Sequence, residues 1–106
     1  MVSMESIRQL SDRIVEEFQP QQIILFGSFA DGAQTADSDV DLLVVMAYEG
    51  KSWKAATQIR QRVRPTFLVD LLVRSLAQFQ QRIAMGDLFF NEIAQSGTVL
   101  HETNHE

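Results

Sequence analysis

Hydrophobic and polar positions along the chain change period several times, and each change predicts a new element. Apolar residues at intervals of three and four predict an amphipathic helix over residues 3–19, with Ser3 as its N-cap. Short apolar runs rich in β-branched residues predict buried strands over residues 22–26, 39–46 and 66–73. These three runs are expected to form the sheet.

The segments between and after the strands predict the remaining elements. Residues 28–38 are small and polar, and they predict a turn or a short helix followed by a loop. Ser52 is expected to cap a helix that Pro65 ends, with Trp53 on its apolar face. Two further helices and a short edge strand are predicted over residues 75–85, 88–96 and 98–101.

The connections between the strands indicate how they pair. The loop between the first two strands is only about a dozen residues long, which suits an antiparallel pair at least as well as a crossover. The helix between the second and third strands favours a parallel pair. We therefore predict an α/β (α+β) fold, a small mixed β-sheet with helices packed on it, in a single domain over residues 1–106.

The composition narrows the possible functions. Apolar residues make up 45% of the 106-residue chain and charged residues 22%, as in ordinary globular proteins. The chain has no cysteine, which excludes disulfides and thiolate metal sites and fits a cytoplasmic protein. Neither a signal peptide nor a membrane span is predicted. The net charge of −5 argues against direct binding to DNA, which requires an excess of Lys and Arg.

Three aspartates fall at or inside the predicted strands. Asp39 and Asp41 open the second strand and share one face, about 6–7 Å apart, because alternate residues point the same way. Asp70 lies inside the third strand among apolar neighbours, where an unpaired carboxylate is costly. If the two strands are adjacent, the carboxylates converge, and two charges ~6 Å apart at an effective dielectric of 20 repel by roughly 3 kcal/mol. Divalent cations relieve this repulsion, and oxygen ligands favour a pair of Mg²⁺ ions, with Mn²⁺ as a substitute.

A glycine–serine pair follows the first strand. Gly27 lets the backbone approach a ligand, and Ser28 is placed to cap a turn or to bind phosphate oxygens. Gly-Ser, ten residues and Asp-x-Asp together predict a phosphate site beside the metal ions. Each motif alone also has a structural interpretation: an ordinary turn for Gly-Ser, solvated loop-end acids for Asp-x-Asp, and a salt-bridged or strand-edge acid for Asp70.

Basic residues are concentrated between the second and third strands. Five of the nine fall in this segment, namely Lys51, Lys54, Arg60, Arg62 and Arg64. One interpretation is a solvated helix face. The other is a cationic wall beside the acidic pocket that helps to hold a polyphosphate.

The stretch GSFADGAQTADSDVDLLVV resembles the Gly-Ser-x(10)-Asp-x-Asp signature of the DNA polymerase β-like nucleotidyltransferases, and in particular their small, minimal branch. The resemblance extends over nearly the whole chain, including VDLLVRSL and RIAMGDLFFNEIAQSGTVLHE. It implies a palm-like fold and Mg²⁺-dependent transfer of a nucleoside monophosphate, with ATP as the expected donor. It implies further that Gly27 and Ser28 bind the triphosphate and that Asp39, Asp41 and Asp70 bind two metal ions. Asp70 would also accept the proton of the attacking hydroxyl.

The resemblance also implies a partner. Many small proteins of this branch pair with a HEPN-family toxin in toxin–antitoxin modules, and some such antitoxins adenylylate the toxin. A HEPN-type toxin, and a homo- or hetero-oligomer, are therefore expected. One departure affects catalysis, because Phe29 and Asp31 stand where the branch often has the two arginines of Gly-Ser-Arg-Ala-Arg-Gly. Reduced or absent catalysis follows as an open alternative.

Three functions are consistent with these observations. The first is adenylylation of a partner protein. The second is a non-catalytic module that neutralises its partner by covering it, with residues 88–90 as an apolar docking face or a homodimer seam. The same three residues also fit core packing. The third is transfer to a small molecule of the aminoglycoside type, for which this chain is short.

Overall fold

Five helices and four strands make up residues 2–103, the part of the chain described by the structure, which is a computed structural model. The helices are α1 (Met4–Phe18), α2 (Ser28–Asp31), α3 (Ser52–Val63), α4 (Leu76–Ala84) and α5 (Leu88–Ser96). The strands are β1 (Gln22–Phe26), β2 (Val40–Val45), β3 (Val69–Arg74) and β4 (Thr98–Glu102). Among these residues, no helix has the length and apolar character needed to cross a membrane.

The four strands form one mixed sheet in the order β3-β2-β1-β4. β1 runs antiparallel to both β2 and β4, whereas β2 and β3 are parallel. The short connection thus joins an antiparallel pair, and the connection containing α3 joins a parallel pair. The predicted mixed sheet, the parallel pair and the edge position of β4 are confirmed. Of the two arrangements left open for β1 and β2, the structure has the antiparallel one.

Helices cover both faces of the sheet. On one face, α1 and α3 bury Ile7, Leu10 and Ile59 against β-strand residues such as Leu25 and Leu42. On the other face, α4 and α5 enclose a second and smaller cluster, which contains Ile24, Leu43, Val45, Phe79, Phe90 and Ile93. Because successive strand residues alternate between faces, each central strand contributes to both clusters.

Short polar side chains set the helix starts. The Ser6 N–H donates to Ser3 Oγ at 3.1 Å, and the Phe90 N–H donates to Asp87 Oδ1 at 3.2 Å. Both caps satisfy a first-turn N–H that has no partner inside its helix. α3 differs from the prediction, because Lys51 occupies the N-cap position and Ser52 is the first helical residue.

Trp53 was predicted on the apolar face of α3, and this prediction is wrong. The helix buries Ala55, Ile59 and Val63, which recur every four residues. Trp53 precedes Ala55 by two positions, which places it about 200° around the helix axis from the buried stripe. The indole is accordingly 63% exposed, with Lys54 Nζ 5.6 Å from its centroid.

Candidate functional site

Asp41 and Asp70 meet across neighbouring strands. In the parallel pair of β2 and β3, Asp41 is the direct partner of Asp70, and in the antiparallel pair of β1 and β2 it is the partner of Phe26. Partners in adjacent strands share a face, so these three side chains form one row on the face covered by α4 and α5. The expectation that Asp70 lies beside the second strand is confirmed.

Asp70 is less buried than its apolar neighbours predicted. β3 begins at Val69, three residues later than expected, so Asp70 is the second residue of its strand and not a central one. Its side chain is exposed where the cavity opens, although Val69 and Val73 of the same outer strand are buried on the opposite face. The prediction of a buried position is therefore wrong, although the pairing with Asp41 holds.

The environment of Asp41 disfavours its negative charge. Burial raises the pKa of this carboxyl above its ordinary value, and the neighbouring charge of Asp70 raises it further. A side-chain hydrogen bond with Asp70 and the charge of Asp39 act in the same direction. Two carboxylates in contact, with a third nearby, thus form a site that repels its own charge until a cation or a proton arrives.

Asp39 stands apart from the other two acids. It precedes the first ladder residue of β2 and is exposed, so the sheet register does not fix its side chain. Over residues 2–103, no group of three or more Asp, Glu or His side chains lies close enough together to hold a metal ion. The structure brings two of the three predicted ligands together.

Gly27 provides the tight approach between β1 and the carboxylates. Its φ of 75° and ψ of −154° fall in a region that is essentially restricted to glycine. A Cβ at this position would overlap Asp41 Oδ2 and would lie 3.3 Å from Asp41 Cγ. The absence of a side chain therefore lets the Asp41 carboxylate lie directly against the backbone of residue 27.

Ser28 begins the single turn of α2, directly after Gly27. The Ala33 N–H donates to the Ser28 carbonyl oxygen at 3.0 Å, which closes the turn. Ser28 is half-buried and is not among the residues that line the cavity described next. Its predicted role in holding a triphosphate stays a prediction.

A cavity of about 540 Å³ lies over the carboxylate pair. This volume falls within the usual range for small-molecule sites, about 300–1,000 Å³. Strands β1 to β3, α2 and α5 contribute its walls. Its acidic residues are Asp31, Asp41, Asp70 and Glu92, and its larger apolar residues are Phe26, Leu71, Leu72, Phe89 and Ile93.

The basic segment does not reach this cavity. No Lys or Arg of residues 2–103 lines it, because α3 packs on the opposite face of the sheet. There, Arg62 forms a surface ion pair with Glu17, with 3.4 Å between Nε and Oε1. The interpretation of residues 51–64 as a cationic wall beside the acids is wrong, and the solvated helix face is the correct one.

The donor set of the cavity fits a hard divalent cation. Carboxylate oxygens are the ligands that Mg²⁺ and Mn²⁺ prefer, and Mg²⁺ typically takes one or two carboxylates together with substrate phosphates. Asp41 and Asp70 supply two adjacent carboxylates whose repulsion a cation would remove.

Sequence analysis missed the contribution of α5 to the cavity. The signal was present, because residues 89, 92, 93 and 96 recur at helical intervals and therefore share one side of α5. Phe89, Glu92 and Ser96 line the cavity from that side. Of the predicted apolar face at residues 88–90, Phe90 is buried in the core, whereas Leu88 is 85% exposed.

Comparison with known proteins agrees with this geometry. The profile of the nucleotidyltransferase domain family matches residues 7–89, which include Gly27, Asp41 and Asp70. The chain belongs to this family. No curated protein sequence matched the chain.

Solved structures share the fold over nearly the whole chain. A protein of Sulfolobus solfataricus assigned as a nucleotidyltransferase superposes with a TM-score of 0.63 at 16% identity, covering 91% of this chain and 77% of the other. A toxin–antitoxin structure with AMP-PNP superposes with a TM-score of 0.52 at 25% identity, covering 97% of this chain and 76% of the other. A variant of the toxin–antitoxin complex MntA-HpeT with two Asp-to-Glu substitutions superposes with a TM-score of 0.51 at 24% identity, covering 97% of this chain and 76% of the other.

Proposed function

We propose that this protein transfers AMP from ATP to a hydroxyl group of a partner protein, with Mg²⁺ bound by its paired aspartates. The observation that carries the proposal is the placement of Asp41 opposite Asp70, with Gly27 beside them at the mouth of one cavity. Membership of the nucleotidyltransferase family supports the reaction class.

Asp39, Asp41 and Asp70 are the residues that would hold Mg²⁺. When bound, the cation would offset the charge of the phosphates and increase the acidity of the attacking hydroxyl. Gly27 lets the Asp41 carboxylate lie against the backbone, since a Cβ there would collide with it. The lack of a side chain would also let the triphosphate approach the chain at this residue. The acidic cavity has no Lys or Arg in its described lining, so binding of ATP without a cation is expected to be weak.

The transfer itself is a single displacement at phosphorus. The hydroxyl oxygen of the acceptor forms a bond to the α-phosphorus of ATP, and the bond from that phosphorus to the oxygen bridging the α- and β-phosphates breaks. Pyrophosphate leaves, and AMP remains on the acceptor as a phosphodiester. Asp70 is exposed at the outer edge of the sheet, where it can accept the proton of an incoming hydroxyl.

A toxin of the HEPN type is the proposed partner. The fold matches toxin–antitoxin structures over 97% of this chain, and one of them contains AMP-PNP. The cavity is bordered by exposed residues such as Asp31, Asp70 and Glu92, so an acceptor side chain on a second protein has access to it. The proposal therefore makes this chain the antitoxin of such a pair.

A second candidate function is neutralisation of the partner by binding alone. The observation that favours it is Asp31, which adds a negative charge to the cavity at a position where an arginine would attract phosphate. Such a chain would cover its partner through a surface that does not require ATP. The two candidates differ in whether Asp39, Asp41 and Asp70 must bind a cation for the partner to be neutralised.

Transfer of AMP is tested with the protein encoded next to this chain. The purified pair is incubated with ATP and Mg²⁺, and the intact mass of the neighbouring protein is measured. We expect a gain of one or more AMP groups with the wild type, no gain with Asp41→Asn, and a normal gain with Asp37→Asn as a matched control. Absence of any gain with the wild type would contradict the transfer.

Neutralisation is tested separately in cells. If the double variant Asp39→Asn/Asp41→Asn still protects cells from the neighbouring protein as well as the wild type does, binding alone is sufficient. Loss of protection, together with retained complex formation, would support catalysis. A pull-down of the two proteins provides that second measurement.

A further inference from the structure

An aromatic wall stands beside the carboxylate pair. Phe26 is the strand partner of Asp41, and Phe89 of α5 packs edge-on against it, with ring centroids 5.7 Å apart and an interplanar angle of 87°. Phe89 also contacts Phe90 in a T-shaped arrangement at 5.2 Å. Both Phe26 and Phe89 line the cavity that contains Asp41 and Asp70.

Phe89 is more exposed than its role in packing requires. Its neighbour Phe90 is only 5% exposed and fills the core under α5, whereas Phe89 is 51% exposed. A large apolar ring that is fixed by T-shaped contacts with two other rings, half exposed, and part of the cavity lining is a preformed surface for a flat ligand. Leu88 is more exposed still but does not line the cavity.

We propose that Phe89, held by Phe26, is the stacking surface for the base of the bound nucleotide. This inference rests on the proposed function, because it assigns the base end of the same ligand. Gly27 and the two aspartates mark the phosphate end, and Phe26 directly precedes Gly27 in the chain and lies beside Asp41 in the sheet. A nucleotide with its phosphates at the carboxylates thus has an aromatic ring within the same cavity.

The negative charge of the cavity increases the share of nucleotide affinity that stacking on Phe89 must supply. The described lining offers four acidic residues and no basic one, so the phosphates gain affinity only through a cation. Stacking is independent of charge, and it tolerates different bases because every base has a π-face. Phe89 therefore supplies affinity for nucleosides in general and contributes little to the choice between purines.

The test separates the base from the phosphates. Mg·ATP and Mg·tripolyphosphate are titrated calorimetrically into the wild type, Phe89→Leu and Phe89→Trp, with Leu88→Ala as the matched control on the same helix turn. Phe89→Leu keeps an apolar side chain for packing but removes the ring. We expect it to weaken ATP binding about 5- to 150-fold and to change tripolyphosphate binding less than about twofold. Phe89→Trp should retain ATP binding, and Leu88→Ala should behave as the wild type.

Two failures are distinguishable. If the wild type binds Mg·ATP and Phe89→Leu binds it equally well, or loses ATP and tripolyphosphate alike, the stacking role is wrong and the proposed function stands. If the wild type binds neither ligand, the proposed function fails and the stacking role with it. Thermal unfolding of each variant shows that it is folded at the temperature of the titration.

Discussion

Asp70 lies directly across from Asp41 in the parallel pair of β2 and β3, so two carboxylates face each other at the rim of one cavity. This arrangement destabilises the free protein, because burial and the charge of Asp70 disfavour the ionised form of Asp41 and raise its pKa. A nearby Gly27 whose conformation and position exclude a side chain completes the site. Under the proposed function, this pair would bind a cation during nucleotide transfer.

The first prediction concerns the pH dependence of stability. The raised pKa of Asp41 means that the folded protein binds a proton more tightly than the unfolded chain. Stability therefore falls as the pH rises from about 4, the ordinary value for aspartate, through the raised value, and the loss is complete above it. Without divalent cations at pH 7, Asp41→Asn should increase the free energy of unfolding, by at most about 1 kcal/mol because the group is partly exposed.

Urea denaturation of both proteins across this pH range measures the difference. The difference in unfolding free energy between Asp41→Asn and the wild type should shrink towards zero as the pH falls below about 4, where the wild-type carboxyl is protonated. Asp37→Asn is the control, since Asp37 is exposed in the loop before β2 and does not contact the pair. An Asp41→Asn protein that is less stable than the wild type at pH 7 would contradict the repulsion.

A second prediction compares two glycines with positive φ. Gly27→Ala places a Cβ against Asp41 Oδ2 in a backbone region that only glycine adopts readily, so we expect a loss of roughly 1–3 kcal/mol in unfolding free energy. Gly32 has φ 74° and ψ 12°, and a Cβ there meets nothing within 4 Å. Gly32→Ala should therefore lower the unfolding free energy by only about 1 kcal/mol.

The same pair of variants tests the site. Displacement of Asp41 should abolish the stabilisation by Mg²⁺ and ATP in Gly27→Ala, whereas Gly32→Ala should keep it. Differential scanning fluorimetry of both variants, with and without ligand, is sufficient. An equal rise in melting temperature on adding Mg²⁺ and ATP to the two variants would show that residue 27 belongs to an ordinary turn.

A third prediction concerns the two positions at which arginines are absent. Asp31 lines the cavity and is exposed, so Asp31→Arg should strengthen Mg·ATP binding about fivefold, as one exposed ionic contact of ~1 kcal/mol does. Asp31→Asn should give a smaller gain. Phe29 packs against the core cluster of α1 and α3, so Phe29→Arg should instead destabilise the fold by roughly 1–3 kcal/mol.

Calorimetric titration and thermal unfolding measure these two effects. Glu49→Arg is a control that changes the net charge equally, on a residue that does not line the cavity. If Glu49→Arg strengthens ATP binding as much as Asp31→Arg does, the gain reflects overall charge and not a contact at residue 31.

Much of the fold follows from the sequence because the strands carry unambiguous signals. β1 was predicted with its observed bounds, Gln22–Phe26, from a β-branched run that ends at a glycine. The parallel pairing of β2 and β3 follows from the crossover helix between them, whereas the register that sets Asp41 opposite Asp70 comes from the structure. Local pattern and connection length are sufficient for both inferences.

The parts that sequence analysis missed depend on long-range packing. Periodicity identified α3 as a helix but assigned Trp53 to the wrong side, because the buried stripe is set by contacts with α1 and β3. The basic segment and the acids are close in the chain but lie on opposite faces of the sheet. Phe89 reaches the cavity only because α5 folds back over β1, which no local pattern encodes.

Thermal unfolding with Mn²⁺ and ATP tests the central claim most directly, namely that Asp41 and Asp70 together bind a divalent cation with a nucleotide. A ligand at 100 times its dissociation constant stabilises the folded state by about 2.7 kcal/mol, which for a domain of this size raises the melting temperature by roughly 10 °C or more. We expect that rise in the wild type and in Asp12→Asn, a control on α1 away from the cavity, and a much smaller rise in Asp70→Asn. A melting temperature that does not respond to Mn²⁺ with ATP, or that rises equally in Asp70→Asn, would contradict the account.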